Sequence, residues 1–164
     1  MDDTDEGAVD AIRFKQALRR WCSGVTVVTS RGEAGIHGMT VSAFSSVSAS
    51  PPLILVCCNR DSNTHTFIEE SGVFGVNILA AGQEALSNGF ADPRRVDRFE
   101  GVAWSPGPKT GSPILDGVAA WFDCRTRSAH REGSHTIYVG DVLELHTRDA
   151  APLLYHDGGY ASLG

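Results

Sequence analysis

The sequence predicts a mainly antiparallel β-barrel with a few short flanking helices. Several strand-like runs alternate with helical stretches that are too short to serve as the crossovers of a parallel sheet. The 164 residues, of which 41% are hydrophobic and 21% charged, suit one folded domain rather than a disordered or fibrous chain. We see no internal repeat and no linker in the sequence, so we expect a single domain over residues 11–164.

An amphipathic helix is predicted over residues 8–22. Its apolar residues recur at spacings of three and four, with basic residues between them: Ala11, Phe14, Leu18 and Trp21. We expect this apolar stripe to pack inward. Residues 1–10 are acidic and predict a solvated, disordered tail.

Strands are predicted wherever β-branched or apolar residues run between turn signals. The run 24–30 is rich in Val and Thr and ends at the turn 31–33. The run 53–58 is apolar throughout, so we expect it to be buried on both faces at the centre of the barrel. Other strand-like runs lie at residues 38–48, 73–79, 118–126 and 135–145.

Short helices and one long excursion connect these strands. The first of these connecting helices has Ser62 or Thr64 as its N-cap and continues to Glu70. A second short helix is predicted over residues 83–88. The stretch 91–112 is rich in Pro and Gly and predicts a long excursion with one strand.

The charge, hydropathy and cysteine content of the chain predict which partners it lacks and where in the cell it lies. Lys and Arg total 14 against 20 for Asp and Glu, a net charge of −6 that repels a phosphate backbone, so we expect no nucleic acid partner. No apolar run is long enough to span a membrane and the acidic N-terminus does not resemble a signal peptide, which predicts a cytoplasmic protein without membrane attachment. The cysteines lack CxxC spacing and predict buried, reduced thiols: Cys22, Cys57, Cys58 and Cys124.

The usual catalytic motifs are not found in the sequence. None of its 18 glycines forms a GxG pair, so the Rossmann fingerprint GxGxxG is missing, as are the P-loop and the GxSxG elbow. The six histidines include no HxxxH or HExxH pair, and we expect no metal site. A nucleotide cofactor would therefore be bound by another architecture.

Three polar segments are candidate sites, and each has a simpler interpretation. The hydroxyl-rich segment 37–48 suits a planar, hydrogen-bonding ligand or a phosphate, but it also fits an edge strand that bonds only to water. The loop 59–64, with Arg60, suits a phosphate at a helix start, although an N-cap and turn explains it more simply. His135 opens a strand after a flexible turn, and a lone histidine is usually structural or solvated.

Taken in order, these segments resemble the short-chain flavin reductases, the reductase components of two-component flavin-dependent monooxygenases, which have the FMN-binding split-barrel fold. The resemblance extends from about Phe14 to Gly164. The segments that carry it are 24–29, 37–40, 44–48 with Pro51-Pro52, 76–79, Phe90-Ala91, 140–142, and 152–155 through Gly159-Tyr160. It implies a mainly antiparallel, Greek-key split β-barrel with a few short flanking helices.

The resemblance also implies where a flavin would bind. The isoalloxazine ring would lie along Thr40, Val41, Ser42 and Ala43, with Ser45, Ser46 and Val47 near the ring edge or the ribityl chain. The loop 59–64 would take the phosphates: Cys57, Cys58 and Asn59 end the supporting strand, and Ser62 and Thr64 supply hydroxyls. Phe90 and Ala91 would approach the flavin across a subunit boundary.

The same resemblance places the nicotinamide. Relatives commonly have Gly-Asp-His before the second C-terminal strand, with the histidine beside the nicotinamide. This chain has Gly133-Ser134-His135, so His135 keeps its place but has lost a carboxylate that could orient the imidazole. Tyr160 matches a position on the nicotinamide side.

The implied function is that of an NAD(P)H:flavin oxidoreductase, an enzyme that transfers hydride to FAD or FMN and supplies reduced flavin to a partner monooxygenase. NADH is favoured over NADPH because no arginine cluster for a 2′-phosphate is evident. Such sites form between two barrels, which implies a homodimer. Two alternatives remain at this point: a flavin-binding carrier or sensor without turnover, and a barrel that binds a ligand other than flavin.

Overall fold

A computed structural model describes residues 9–163 of the chain. Its helices are α1 (Ala11–Leu18), α2 (Asn63–Ser71) and α3 (Glu84–Ala91). Its strands are β1 (Ser23–Gly24), β2 (Thr26–Gly32), β3 (Gly35–Val41), β4 (Phe44–Ala49), β5 (Pro52–Asn59), β6 (Val73–Ile78), β7 (Trp104–Pro106), β8 (Pro113–Leu115), β9 (Ala120–Glu132), β10 (His135–Thr147), β11 (Leu154–His156) and β12 (Gly159–Ala161).

Seven strands form one antiparallel sheet in the order β3-β2-β6-β9-β10-β5-β4. Its two edge strands, β3 and β4, follow each other in the chain and are joined by Ser42 and Ala43. The Cys57 amide donates a hydrogen bond to the Ala43 carbonyl (3.0 Å), which brings this junction against β5. The sheet therefore curls on itself, and the predicted mainly antiparallel split barrel is confirmed.

The inside of the curled sheet holds the main hydrophobic core. Strand β5 shows the alternation that builds it, because Ile54, Val56 and Cys58 are buried while the residues between them are not. Phe74 and Tyr138 are the largest side chains enclosed there. The other strands contribute side chains at the same period: Val28, Met39, Val41, Val76 and Cys124.

A second core lies between the sheet and the segments that cover it. It joins Val27, Leu79 and Leu153 to Phe90 of α3 and to Leu115 of β8. The long excursion 91–112 contains β7 and is tied down by Asp123, a buried carboxylate that accepts from the amides of Lys109 (2.8 Å) and Thr110 (3.1 Å) and from the Thr110 hydroxyl. This loop is therefore an ordered part of the scaffold.

The structure corrects three expectations about burial. No residue of α1 is buried: Phe14 lies on the surface at 56% exposure, as does Trp21 beyond the end of the helix at 76%, because strand side chains already fill the barrel. Strand β5 is buried on one face only, since Leu55 and Cys57 on its other face are half-exposed. Cys22, predicted as a buried thiol, is exposed. The corrections for α1 and β5 concern the same side of the molecule, where apolar side chains lack a complete cover.

Other local predictions can be placed as well. Helix α2 begins at Asn63 with Ser62 as its N-cap. Of the predicted disordered tail, residues 1–8 lie outside the described part of the chain, while Asp10 caps α1 by accepting from the Arg13 amide (3.3 Å). No helix among residues 9–163 is long and apolar enough to cross a membrane.

Gly140 of β10 tests how tightly the inner core is packed. A Cβ atom at this position would lie 2.5 Å from Cζ of Phe74 and 3.2 Å from Cβ of Cys124, and Phe74 is fully buried. We expect Gly140→Ala to lower the free energy of unfolding by about 1–3 kcal/mol, as overpacking of a core does. The measurement is urea unfolding followed by circular dichroism.

Gly24→Ala is the matched control, because a Cβ atom there would meet nothing within 4 Å. It should leave the unfolding midpoint nearly unchanged. A Gly140→Ala variant as stable as the parent protein would contradict the packing described here.

Candidate functional site

The outer face of β5 and β10 brings several predicted site residues onto one surface. Leu55, Cys57 and Asn59 alternate with the core residues of β5 and point away from the barrel interior. The strand register pairs Asn59 with His135 and Cys57 with Ile137. Directly opposed residues of an antiparallel pair project from the same face, so His135 shares this outer face with Asn59 and Cys57.

A cleft of about 610 Å³, which we call the main cleft, opens beside this face. Its floor is the β3–β4 junction and the outer side of β5: Ser42, Ala43, Ser45, Leu55 and Cys57. Helix α1 contributes one wall through Lys15 and Leu18, and Arg19 and Trp21 continue this wall beyond the end of the helix. The turn between β11 and β12 contributes another wall, with Tyr155 and Gly158.

A second cleft of about 370 Å³, the side cleft, shares Ser42, Tyr155 and Gly158 with the main cleft. Its other lining residues include Thr40, Ala91 and Tyr160. A hydrogen-bonded group fixes this cleft: the Tyr160 hydroxyl lies 2.8 Å from Oγ of Ser87 and 2.7 Å from Oδ1 of Asn88, and the Thr40 hydroxyl donates to the Ser87 carbonyl (2.6 Å). Helix α3 thus ties the C-terminal hairpin to β3.

These clefts bring together a large part of the predicted site. The residues that line one or both are Thr40, Ser42, Ala43, Ser45, Cys57, Ala91 and Tyr160. The hydroxyl-rich segment is therefore more than a strand that bonds only to water. Ser46 and Val47 lie on the exposed edge strand β4, next to the main cleft but outside its lining.

Four other residues of the predicted site have buried side chains. The side chains of Val41 and Cys58 point into the inner core, while Phe90 packs edge-on against Phe99 with ring centroids 5.0 Å apart. Thr64 is fully buried, and its hydroxyl lies 2.7 Å from Nδ1 of His37, so it is not free for a phosphate. These side chains support the site from behind.

The polar loop 59–64 lies beside the turn that carries His135. The Ser62 hydroxyl accepts from the His65 amide (3.1 Å) and donates to the Asn59 carbonyl (2.7 Å). These are the contacts of an N-cap and a turn, the simpler of the two interpretations of this loop. The Arg60 guanidinium donates to the Gly133 carbonyl (3.3 Å). The loop and the histidine turn are therefore held together, next to the outer face.

His135 has a serine hydroxyl as its hydrogen-bonding neighbour. Its Nδ1 atom lies 2.9 Å from Oγ of Ser134, and both residues are exposed. A serine hydroxyl can either donate to or accept from an imidazole nitrogen. The contact gives the ring a preferred orientation without adding a charge.

Sequence reasoning missed the part of the site supplied by α1 and by the C-terminal hairpin. Lys15, Arg19, Tyr155 and Asp157 all line the main cleft. The basic residues of α1 followed the ordinary pattern of a solvated helix face, and no local spacing links them to residues 155–158. The contact is visible only after folding.

Burial shifts the pKa values of titratable groups in and behind the main cleft. Burial raises the pKa of the Cys57 thiol, and burial together with the neighbouring Cys57 raises the pKa of Cys58 to about 12, so both remain thiols at neutral pH. Burial, with the positive charge of Arg98, lowers the pKa of His37. Within the described residues, no group of three or more His, Cys, Asp or Glu side chains is placed to hold a metal ion.

The fold and these clefts define a split-barrel protein whose site suits a planar ligand on small, hydroxyl-bearing residues. The chain belongs to the flavin reductase-like family, because the model of the flavin reductase like domain matches residues 18–164. This membership agrees with the resemblance found in the sequence. It also removes support from the hypothesis of a barrel for an unrelated ligand.

Curated relatives match most of the chain. It is 37% identical over 157 residues to HsaB, the reductase subunit of a flavin-dependent monooxygenase from Rhodococcus jostii, covering 95% of this chain and 80% of the relative. It is 38% identical over 154 residues to SmoA, an FMN reductase (NADH) from Agrobacterium fabrum, covering 94% and 87%. In both cases the match covers most of the relative's own length.

A solved structure has the same fold. The NADH:FAD oxidoreductase SgcE6 from Streptomyces globisporus, in complex with NAD and FAD fragments, superposes with a TM-score of 0.90 at 33% identity. The match covers 94% of this chain and 93% of SgcE6.

Proposed function

We propose that this protein is an NADH-dependent flavin reductase that transfers hydride from NADH to FAD or FMN and supplies the reduced flavin to a partner monooxygenase. The main cleft carries the proposal. Its floor of Ser42, Ala43, Ser45 and Cys57 carries small side chains, and it adjoins the outer face that presents His135.

The relatives support each part of this proposal. HsaB is named as a reductase subunit of a monooxygenase, SmoA as an NADH-dependent FMN reductase, and SgcE6 as an NADH:FAD oxidoreductase. Both flavins occur among them, so FAD and FMN are both proposed as substrates. NADH is the proposed donor, with NADPH as the alternative to be compared.

The residues of the clefts fit a flavin. Ser42 and Ala43 stand between β3 and β4, outside the paired residues of both strands. Their carbonyls already accept from the Phe44 and Cys57 amides, so their own amide N–H groups are what the backbone offers to a ligand. Ala43, which is exposed, and Cys57, which is half-exposed, offer small side chains against which a ring can lie. The hydroxyls of Ser42 and Ser45 border the same floor and can bond to ring or ribityl atoms.

The chemistry needs little from protein acids or bases. When bound, the two nucleotides supply the reaction themselves, since hydride passes from nicotinamide C4 to flavin N5. The chain must hold the rings in contact and keep water out of the space between them. Tyr160 lines the side cleft, where Ser87 fixes its hydroxyl, and His135 lies farther along the outer face, opposite Asn59. In this proposal both side chains orient the nicotinamide.

We further propose that the working unit is a homodimer. On the outer face, the apolar side chains Leu53, Leu55, Ile137 and Val139 are only half-buried. On α1, Ile12, Phe14 and Leu18 are more than half exposed. A second copy would cover these adjacent apolar surfaces and close the open side of the main cleft.

We also propose a cytoplasmic location and one functional domain over residues 11–164. The four cysteines are all free thiols, as a reducing compartment would keep them. Reduced nicotinamide nucleotides, the proposed donors, are also formed in the cytoplasm.

A flavin carrier or sensor without turnover is the second candidate. The observation that favours it is the uncharged neighbour of His135: Oγ of Ser134 lies 2.9 Å from its Nδ1, where the family resemblance implies an aspartate. If an uncharged partner holds the imidazole too loosely, nicotinamide binding weakens while the flavin floor stays intact.

The first experiment measures NADH or NADPH oxidation in air by the purified protein with FMN or FAD added in turn. We expect saturable oxidation that depends on added flavin and is faster with NADH. Flavin binding seen by fluorescence quenching, with no turnover for any pair, would support the carrier instead. Failure to bind either flavin would contradict both functions.

His135→Ala tests the nicotinamide side in the same assay. The variant removes a hydrogen-bonding and stacking group that contributes about 1–1.5 kcal/mol to NADH binding. This loss should raise the KM for NADH roughly fivefold to tenfold. The flavin KM should change little. His146→Ala is the matched control, because His146 lies against Trp121 on a cleft away from this face and should leave both constants unchanged. Loss of flavin binding in His135→Ala would contradict the role given to this residue.

Val139→Lys tests the dimer. A lysine on the half-buried outer face would have to be desolvated in an interface, so we expect sedimentation equilibrium to show a dimer for the parent protein and a monomer for this variant. Lys109→Gln, on an exposed loop tied to Asp123, should remain dimeric. A monomeric parent protein at micromolar concentration would contradict the proposal.

A further inference from the structure

Helix α1 presents two positive charges to the main cleft. The side chains of Lys15 and Arg19 line it, and within residues 9–163 neither forms an ion pair. The nearby carboxylate of Asp157 lies instead 3.8 Å from Arg20. The mouth of the cleft therefore carries cationic groups that the fold does not neutralise.

The C-terminal hairpin fixes Arg19 at this mouth. The Asp157 amide donates to the Arg19 carbonyl (3.1 Å), which joins the hairpin turn to the end of α1. The guanidinium lies close against Gly158, since a Cβ atom there would come within 3.1 Å of Nη2 and 3.5 Å of Cζ. Gly158 also has a φ of +85°, a conformation that suits glycine, so the turn is shaped to admit the arginine.

The positive surface continues beyond the main cleft. A neighbouring cleft of about 480 Å³ is lined by Arg13, Gln16, Arg19, Arg20 and Asp157, and it shares Arg19 and Asp157 with the main cleft. Three arginines thus face one carboxylate there. A ligand that leaves the main cleft along α1 meets an excess of positive charge.

The same wall also offers surfaces for a planar ring. Leu18 and Trp21 line the main cleft, and the Trp21 side chain is 76% exposed. Tyr155 faces the cleft from the hairpin. Apolar and aromatic groups beside unpaired cations match a molecule that has aromatic rings joined by an anionic linker.

We propose that Lys15 and Arg19 bind the diphosphate of a dinucleotide seated in the main cleft. This inference rests on the proposed function and extends it, because FAD and NADH each contain a diphosphate, whereas FMN and reduced nicotinamide mononucleotide do not. The α1 cations therefore select dinucleotides over mononucleotides. They lie apart from the polar loop 59–64, which does not line this cleft.

The test compares the double variant Lys15→Gln/Arg19→Gln with the single variant Lys109→Gln, which changes an exposed charge on a distant loop. Glutamine has a helix propensity close to those of Lys and Arg, so α1 should stay folded, and circular dichroism checks this. Binding of FAD, FMN and ADP-ribose is measured by fluorescence quenching or calorimetry. Turnover is measured with NADH and with reduced nicotinamide mononucleotide.

We expect the double variant to weaken binding of one dinucleotide about tenfold at low salt, the effect of two partly exposed charge-assisted contacts, with less loss at high salt. If the diphosphate belongs to FAD, the Kd for FAD rises and that for FMN does not. If it belongs to NADH, the KM for NADH and the Kd for ADP-ribose rise, while the constants for the mononucleotide do not. Lys109→Gln should match the parent protein in every arm.

Two results would overturn the inference. One is a double variant that binds FAD, ADP-ribose and NADH as tightly as the parent protein. The other is an equal loss for mononucleotides and dinucleotides, which would show a general effect of charge. A parent protein that binds a dinucleotide through these side chains but never oxidises NADH would refute the proposed activity and leave this site in place.

Discussion

The structure depends on the alternation of side chains along β5. Ile54, Val56 and Cys58 point inward and close the barrel core, so the residues between them must point outward. The register with β10 then places His135 on the outward face, opposite Asn59. The side chains that build the site are thus fixed by the same pairing that builds the core.

This arrangement gives the site a floor inside the sheet and a mouth built from surface elements. The floor at Ser42 and Ala43 joins the two edge strands of the sheet and is held to β5 by the Cys57 amide. The mouth is made by α1, which has no buried residue, and by the C-terminal hairpin. A protein that binds two nucleotides and releases one in reduced form needs a fixed surface for ring contact and a border that ligands can pass.

The barrel and much of the floor could be predicted from the sequence, because strand runs and hydroxyl-rich segments are local patterns. The burial expectations for α1 and β5 were wrong because periodicity shows which side chains need cover and does not show what covers them. Phe14 is apolar but exposed, and Leu55 is apolar but only half-buried. The resemblance assigned Thr64 and Phe90 to flavin binding by their positions in the chain. In the folded chain, packing encloses both side chains. The cations at the cleft mouth were missed because Arg19 meets Gly158 only through the folded hairpin.

The most direct test of the central claim is alkylation of Cys57 with and without FMN. Cys57 and Cys58 are neighbours on opposite faces of β5, and burial raises the pKa of Cys57, so its reaction with iodoacetamide should be slow at neutral pH and faster in alkaline buffer. We expect saturating FMN to protect Cys57 from alkylation and to leave the exposed Cys22 reactive. The buried Cys58 should stay unreactive with and without FMN. Mass spectrometry reports each site separately. Unchanged alkylation of Cys57 while FMN is bound would show that the flavin lies elsewhere and would contradict the account.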